Sequence, residues 1–242
     1  MAHATDAPGP LCIALDGPDA AACERLADAT EPFAGAFKLG LTSFSAGGRP
    51  LVEAIAARRP LFLDLKLHDI PAQVEGAARV AARLGASFVT AHASGGAEMM
   101  RAAVTGGGER TVVLAVTVLT SLSEEDLRTL GVPSSVEDQA LRLAEVSLAA
   151  GAGGLVCSPR EARALRDRFG ARSAGGPLLV VPGIRGPGDA ADDQQRTASG
   201  RAALEGGADL LVVGRSIAGA SDVAAAARRL HEQLRSPAEA SR

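Results

Sequence analysis

The densest set of groups able to do chemistry is the run Asp64-Leu65-Lys66-Leu67-His68-Asp69-Ile70-Pro71. Asp64 and Lys66 lie two residues apart in apolar, β-type sequence. In a strand their side chains project to one side and Leu65 to the other. A carboxylate and an ammonium facing inward at a strand end are costly to desolvate unless paired. A solvated surface pair therefore fits poorly, and a structural salt bridge is the plain alternative to a catalytic one. Two further charges are embedded in apolar sequence upstream: Asp16 in Ala14-Leu15-Asp16 and Lys38 in Phe37-Lys38-Leu39-Gly40. Singly, each could be a cap or an ion pair. Together with Asp64 and Lys66 they suggest an alternating Asp and Lys array around one pocket.

Other segments suit anion binding. Pro182-Gly183-Ile184-Arg185, followed by Asp193-Gln194-Gln195-Arg196, and Val212-Val213-Gly214-Arg215-Ser216-Ile217 each come directly after an apolar strand candidate. Gly214 permits close backbone approach, and the Arg215 guanidinium can contact phosphate through two N–H groups. His68 and His92 invite a metal reading, but no ligand set with a matching carboxylate accompanies them. Hydrogen-bonded structural histidines are the simpler reading, with no metal and no cofactor required. Gly106-Gly107-Gly108 reads as a turn that ends a helix. Neither a GxGxxG motif nor a P-loop lysine pattern is present.

The elements that must position these groups alternate regularly. Strand candidates are Leu11–Leu15, Ala36–Leu39, Leu61–Leu65, Phe88–Ala91, Val112–Leu119, Gly154–Cys157, Leu178–Val181 and Leu210–Val213. Helical patterns fall near residues 18–30, 47–58, 72–84, 95–105, 136–150, 159–169, 197–206 and 219–234. Apolar runs bounded by turns suit strands covered on both faces. Strict alternation implies an α/β fold with a parallel sheet. Eight units in 242 residues point to a single-domain (β/α)8 TIM barrel, with an open doubly wound sheet as the alternative. Residues 1–10 and 236–242 read as flexible tails. Two long connections, near Thr120–Ser135 and Pro182–Thr197, follow the fifth and seventh strands. In a barrel they would lie at the C-terminal mouth, where chemistry is placed.

Composition narrows the function. The chain is 47% hydrophobic, with six Phe and no Trp or Tyr, so its core relies on small and branched side chains. Few aromatics argue against a base-stacking surface, and a formal charge of −3 argues against nucleic-acid or membrane partners. Cys12, Cys23 and Cys157 are scattered and read as core thiols. No signal peptide or transmembrane run is visible, and a cytoplasmic protein is expected.

Over nearly its whole length the sequence resembles the orotidine 5′-phosphate decarboxylase family. The carrying motifs are Ala14-Leu15-Asp16, Phe37-Lys38-Leu39-Gly40, Asp64 through Pro71, Val116-Thr117-Val118-Leu119-Thr120-Ser121, Pro182 through Arg185 with Asp193-Gln194, and Gly214-Arg215. The resemblance implies loss of CO2 from C6 of the pyrimidine to give UMP, in pyrimidine biosynthesis and without a cofactor. It implies Lys66 as the ammonium that protonates C6, Asp64 beside the leaving carboxylate, and Lys38 orienting Asp64 and touching the ribose. Asp16 would bind a ribose hydroxyl and Thr120 the pyrimidine. Arg185, Gln194, Gly214 and Arg215 would hold the phosphate, with the loop after the seventh strand closing over it. It further implies a homodimer in which Asp69 enters the neighbour's site, with Ile70 and Gln73 as substrate contacts. The family usually continues Asp-Ile-Pro with Asn-Thr where this chain has Ala72-Gln73. That departure leaves room for a modified pyrimidine nucleotide as substrate. Mg²⁺-dependent sugar-phosphate decarboxylases and synthases share the DxKxxD pattern and are the alternative. They are not expected to carry the LTS and PGIR…DQ segments seen here.

Overall fold

The computed structural model describes residues 9–185 and 198–235. Eight strands close a barrel: β1 (Leu11–Ala14), β2 (Ala36–Leu39), β3 (Leu61–Leu67), β4 (Phe88–His92), β5 (Val112–Val116), β6 (Gly154–Val156), β7 (Leu178–Val181) and β10 (Leu210–Val213). Every neighbouring pair is parallel, and β10 returns to β1. The closed barrel, rather than an open sheet, is thus the architecture. A separate two-stranded ribbon pairs β8 (Ile184–Arg185) with β9 (Ala198–Ser199). The helices are α1 (Ala20–Thr30), α2 (Leu41–Ala56), α3 (Pro71–Arg83), α4 (Gly96–Gly107), α5 (Glu124–Thr129), α6 (Val136–Ala149), α7 (Pro159–Phe169), α8 (Gly200–Glu205), α9 (Arg215–Ala218) and α10 (Val223–Arg235).

Alternation along the strands divides the core in two. Cys12, Ala14, Ala36, Phe62, Phe88, Leu114, Val180, Leu210 and Val212 form an inner cluster. Their neighbours Ile13, Phe37, Leu63, Val89, Ala115 and Leu211 pack in the outer cluster with apolar side chains of the helices. With no Trp or Tyr available, Phe62 and Phe88 supply the inner bulk, meeting edge to face at 6.4 Å between ring centroids. This packed floor fixes the strand ends that carry the charged residues.

Several boundaries differ from the sequence reading, each for a local reason. The helix expected at 47–58 is preceded by a further helical piece from Leu41, and the two meet at a kink at Gly48, whose φ is 54°. Pro50 lacks an N–H and sits two residues beyond that kink, where the second piece begins. The connection expected at 120–135 contains α5, started by a reciprocal cap between Ser123 and Asp126. Gly106 lies within α4 rather than in a turn, and a Cβ there would stand 2.2 Å from the Glu75 carbonyl oxygen of α3. Its role is to let α3 and α4 approach closely. Pro10, read as part of a tail, accepts a 2.7 Å hydrogen bond from the Leu211 N–H and so belongs to the barrel.

Candidate active site

The four charges converge at one mouth of the barrel. Lys66 Nζ donates to both carboxylate oxygens of Asp64, at 2.9 Å each. Lys38 Nζ lies 3.6 Å from Asp64 Oδ2 and 3.5 Å from Asp16 Oδ1. The alternating array read from the sequence is a continuous chain, Asp16–Lys38–Asp64–Lys66. Lys38 and Asp64 are buried, and each has an opposite charge on it, which is how such groups persist out of water. Lys66 is the more accessible lysine, its side chain 31% exposed against 11% for Lys38.

Local packing explains why these side chains meet. The end of β1 is pinned at Leu15, whose carbonyl accepts from Ser43 Oγ at 2.6 Å and Cys23 Sγ at 3.1 Å. That anchors the adjacent Asp16. A Cβ on Gly40 would come within 3.0 Å of Lys38 Nζ and 3.2 Å of Asp16 Oδ1, so glycine leaves room for the pair. Cys12 lies beneath the array with its thiol pushed up to about 12 by burial, so it stays neutral at physiological pH.

Lys66 does not reach Asp64 by regular strand pleating. Leu63 faces Val89 and Leu67 faces Ala91, so β3 takes four residues where β4 takes two. The two surplus residues form a bulge, and within it Lys66 adopts φ 51°. It is the one non-glycine residue with positive φ among the described residues. Such a conformation costs roughly 1–3 kcal/mol and persists only where the surroundings enforce it. Thr90, fully buried on β4, supplies part of that enforcement. Its Oγ1 accepts from the Lys66 backbone N–H at 2.8 Å and donates to Asp64 Oδ1 at 3.0 Å. Sequence reasoning missed Thr90. Its signal was a hydroxyl two residues from Phe88, within the otherwise apolar run Phe88–Ala91.

The array opens into a cavity of about 510 Å³, a size suited to a small ligand. Asp16, Lys38, Asp64, Lys66, Thr120, Gly214 and Arg215 all line it. Phe62, Val116, Val118, Val156 and Val212 make much of the wall apolar. Gly183, with φ 79°, turns the chain from β7 along the rim, a conformation that favours glycine. Asp69, Ile70 and Gln73 are not among the lining residues and are exposed instead, Ile70 by 64%. Arg185 belongs to β8 by its backbone. Gln194 lies outside the described residues.

His68 and His92 lie beside the site, with ring centroids 5.4 Å apart and the rings tilted by 32°. Burial, then the neighbouring His68 and Lys66, push the His92 pKa below its ordinary value. Among the described residues no group of three or more His, Cys, Asp and Glu side chains is arranged to hold a metal ion. Nor is any helix among them long and apolar enough to cross a membrane.

Fold and site define the class: a (β/α)8-barrel enzyme with a lysine–aspartate array at the C-terminal ends of its strands. Comparison with known proteins narrows it. Residues 9–230 match the profile described as the Orotidine 5'-phosphate decarboxylase / HUMPS family. The orotidine 5'-phosphate decarboxylase of Anaeromyxobacter sp. (strain K) is 52% identical over 221 residues, covering 91% of this chain and 96% of its own length. That of Thermobifida fusca (strain YX) is 47% identical over 227 residues, covering 93% and 95%. The crystal structure of the orotidine 5'-phosphate decarboxylase from Lactobacillus acidophilus superimposes with a TM-score of 0.82 at 32% identity, covering 94% of this chain and 100% of that one. The chain belongs to the orotidine 5'-phosphate decarboxylase / HUMPS family.

Proposed function

We propose that this protein converts orotidine 5′-phosphate to UMP and CO2 without a cofactor, as one barrel domain per chain and as a cytoplasmic homodimer. Family membership and the decarboxylase names of the relatives at 52% and 47% identity support the reading. The observation that carries it is the chain Asp16–Lys38–Asp64–Lys66 set in a cavity that it lines together with apolar side chains.

The chemistry follows from that arrangement. The bond from C6 to the substrate carboxylate breaks, CO2 departs, and the electron pair remains on C6. Lys66 Nζ faces that developing charge and then delivers a proton to C6. A preorganised ammonium in a water-poor site stabilises such charge far better than water does. Asp64, beside the substrate carboxylate, disfavours the bound anion and relaxes as CO2 leaves. Lys38 steadies Asp64 and donates to the ribose, while Asp16 accepts from a ribose hydroxyl. Thr120 contacts the pyrimidine. Gly214 and Arg215 take the phosphate, joined by Arg185 and Gln194. Asp69, Ile70 and Gln73 reach the neighbouring subunit's site, with Gln73 offering a longer polar arm than the family's usual threonine.

The direct test follows the absorbance change as orotidine 5′-phosphate is consumed, with and without EDTA. Turnover is expected to be the same in both, because Lys66 supplies the positive charge. Loss of activity with the chelator, restored by Mg²⁺, would move the protein to the sugar-phosphate branch of its family.

A second expectation concerns Arg215. Arg215→Ala should lower kcat/KM for orotidine 5′-phosphate by about 10²-fold or more, the scale of a lost charge-assisted phosphate contact. The phosphate-free nucleoside orotidine should be almost unaffected. Equal losses on both substrates would reassign Arg215 to a structural role.

A further inference from the structure

We infer that Thr90 is a positioning residue for the reaction, holding Lys66 and Asp64 in the geometry that lets Lys66 deliver its proton. This rests on the decarboxylase reading above and extends it to a side chain that does not line the cavity.

The inference starts from backbone accounting. Where β3 bulges, the Lys66 N–H has left the regular ladder with β4 and needs another acceptor, because a buried amide without one is destabilising. Thr90 Oγ1 is that acceptor, at 2.8 Å. A hydroxyl has one proton to donate, and Thr90 directs its own at Asp64 Oδ1, 3.0 Å away. One oxygen therefore fixes both partners of the Lys66–Asp64 pair, one through its main chain and the other through its carboxylate. The left-handed conformation of Lys66, φ 51°, is the part of β3 most in need of such support. The barrel also favours the assignment. Thr90 is fully buried, and β4 is in one-to-one register with β5 over five residue pairs, so the hydroxyl has little freedom to move.

Thr90→Val removes the hydroxyl at nearly constant volume, leaving the Lys66 N–H unmatched and Asp64 short of a donor. Misplacing a reacting group by about 1 Å can cost about 10²-fold, so kcat should fall on that order. The dissociation constant of UMP should change by less than about threefold, since phosphate and ribose contacts lie elsewhere. Thr90→Ser keeps the hydroxyl and loses the methyl. It should recover most of kcat, although its melting temperature is expected to be no higher than that of the valine variant. Activity would then follow the hydroxyl while stability does not, a pattern that a purely structural role does not give. Where the valine variant fails to fold, Thr90→Ala carries the same kinetic expectation. Wild-type kcat in the folded valine or alanine variant, or equal kcat losses in the serine and valine variants, would overturn the proposal. A second readout is independent of turnover. In a crystal structure of Thr90→Val, Lys66 should leave the left-handed region or its Nζ should move off Asp64. An unchanged Lys66 conformation and contact would overturn the positioning role. Failure of the wild-type protein to consume orotidine 5′-phosphate would instead overturn the decarboxylase reading.

Discussion

Lys66→Ala is expected to lower kcat by about 10³-fold or more while UMP still binds, because the variant loses both a preorganised charge and the proton donor. The two effects act at one atom, Nζ, and neither has a substitute nearby. Lys38 is the other lysine of the array, and it is held between Asp16 and Asp64 at 3.5 and 3.6 Å. It cannot move to the Lys66 position without abandoning Asp16. Binding of product should survive, since Asp16, Lys38, Gly214 and Arg215 line the cavity independently of the Lys66 side chain. Folding should survive as well, because Asp64 retains Lys38 and the Thr90 hydroxyl as partners. Rapid-quench or steady-state measurement of kcat, together with calorimetric binding of UMP, separates the chemical step from affinity. A near-normal kcat in the alanine variant would remove Lys66 from its role as proton donor.

Mixing two inactive variants should restore activity if each site is shared between subunits. Asp69 does not line the cavity of its own chain, and its carboxylate accepts from the adjacent Ile70 N–H at 2.6 Å. Next to it, Ile70 exposes 64% of its surface, an apolar group placed to meet a neighbour. In a two-fold dimer each contact is made twice, so the two sites are equivalent and mixed. Lys66→Ala and Asp69→Ala, combined after dissociation, give mixed dimers in which one site carries both defects and the other carries neither. Random reassortment makes about half the dimers mixed, each with one intact site, so activity should reach about a quarter of wild type. Subunit exchange is verified separately by mass. No recovery in verified mixed dimers would mean that Asp69 acts within its own chain.

Much of the barrel was legible because its signals are strong and local. Apolar runs of strand length between amphipathic helical patterns placed all eight barrel strands, with small shifts at their ends. Asp16, Lys38, Asp64 and Lys66 were legible because a charge within apolar sequence has few satisfactory environments. What stayed hidden depends on partners distant in sequence. Threonine is an ordinary β residue, so nothing in Phe88-Val89-Thr90-Ala91-His92 announces that Thr90 bonds both Asp64 and the main chain of Lys66. The surplus residues of β3 were hidden too, since a bulge appears only when two strands are paired. The sequence argument that spacing by two puts Asp64 and Lys66 on one side reached the right pairing through a regular geometry that β3 does not have. The helical piece from Leu41 up to Gly48 was missed as well, since the helix was read only from about residue 47, at the kink where Gly48 takes φ 54°.

The bulge in β3 also sets what would have to travel if this ion pair were transplanted. An Asp-x-Lys triplet copied into an evenly registered barrel strand would carry the side chains but not the backbone excursion that turns the lysine onto the aspartate. The portable unit is larger and discontinuous: residues 64–67 with their two-residue excess, together with a hydroxyl at the facing position of the next strand. For an engineer, the motif is therefore a cross-strand module, and a recipient scaffold must be chosen for its tolerance of an uneven ladder before any charge is installed.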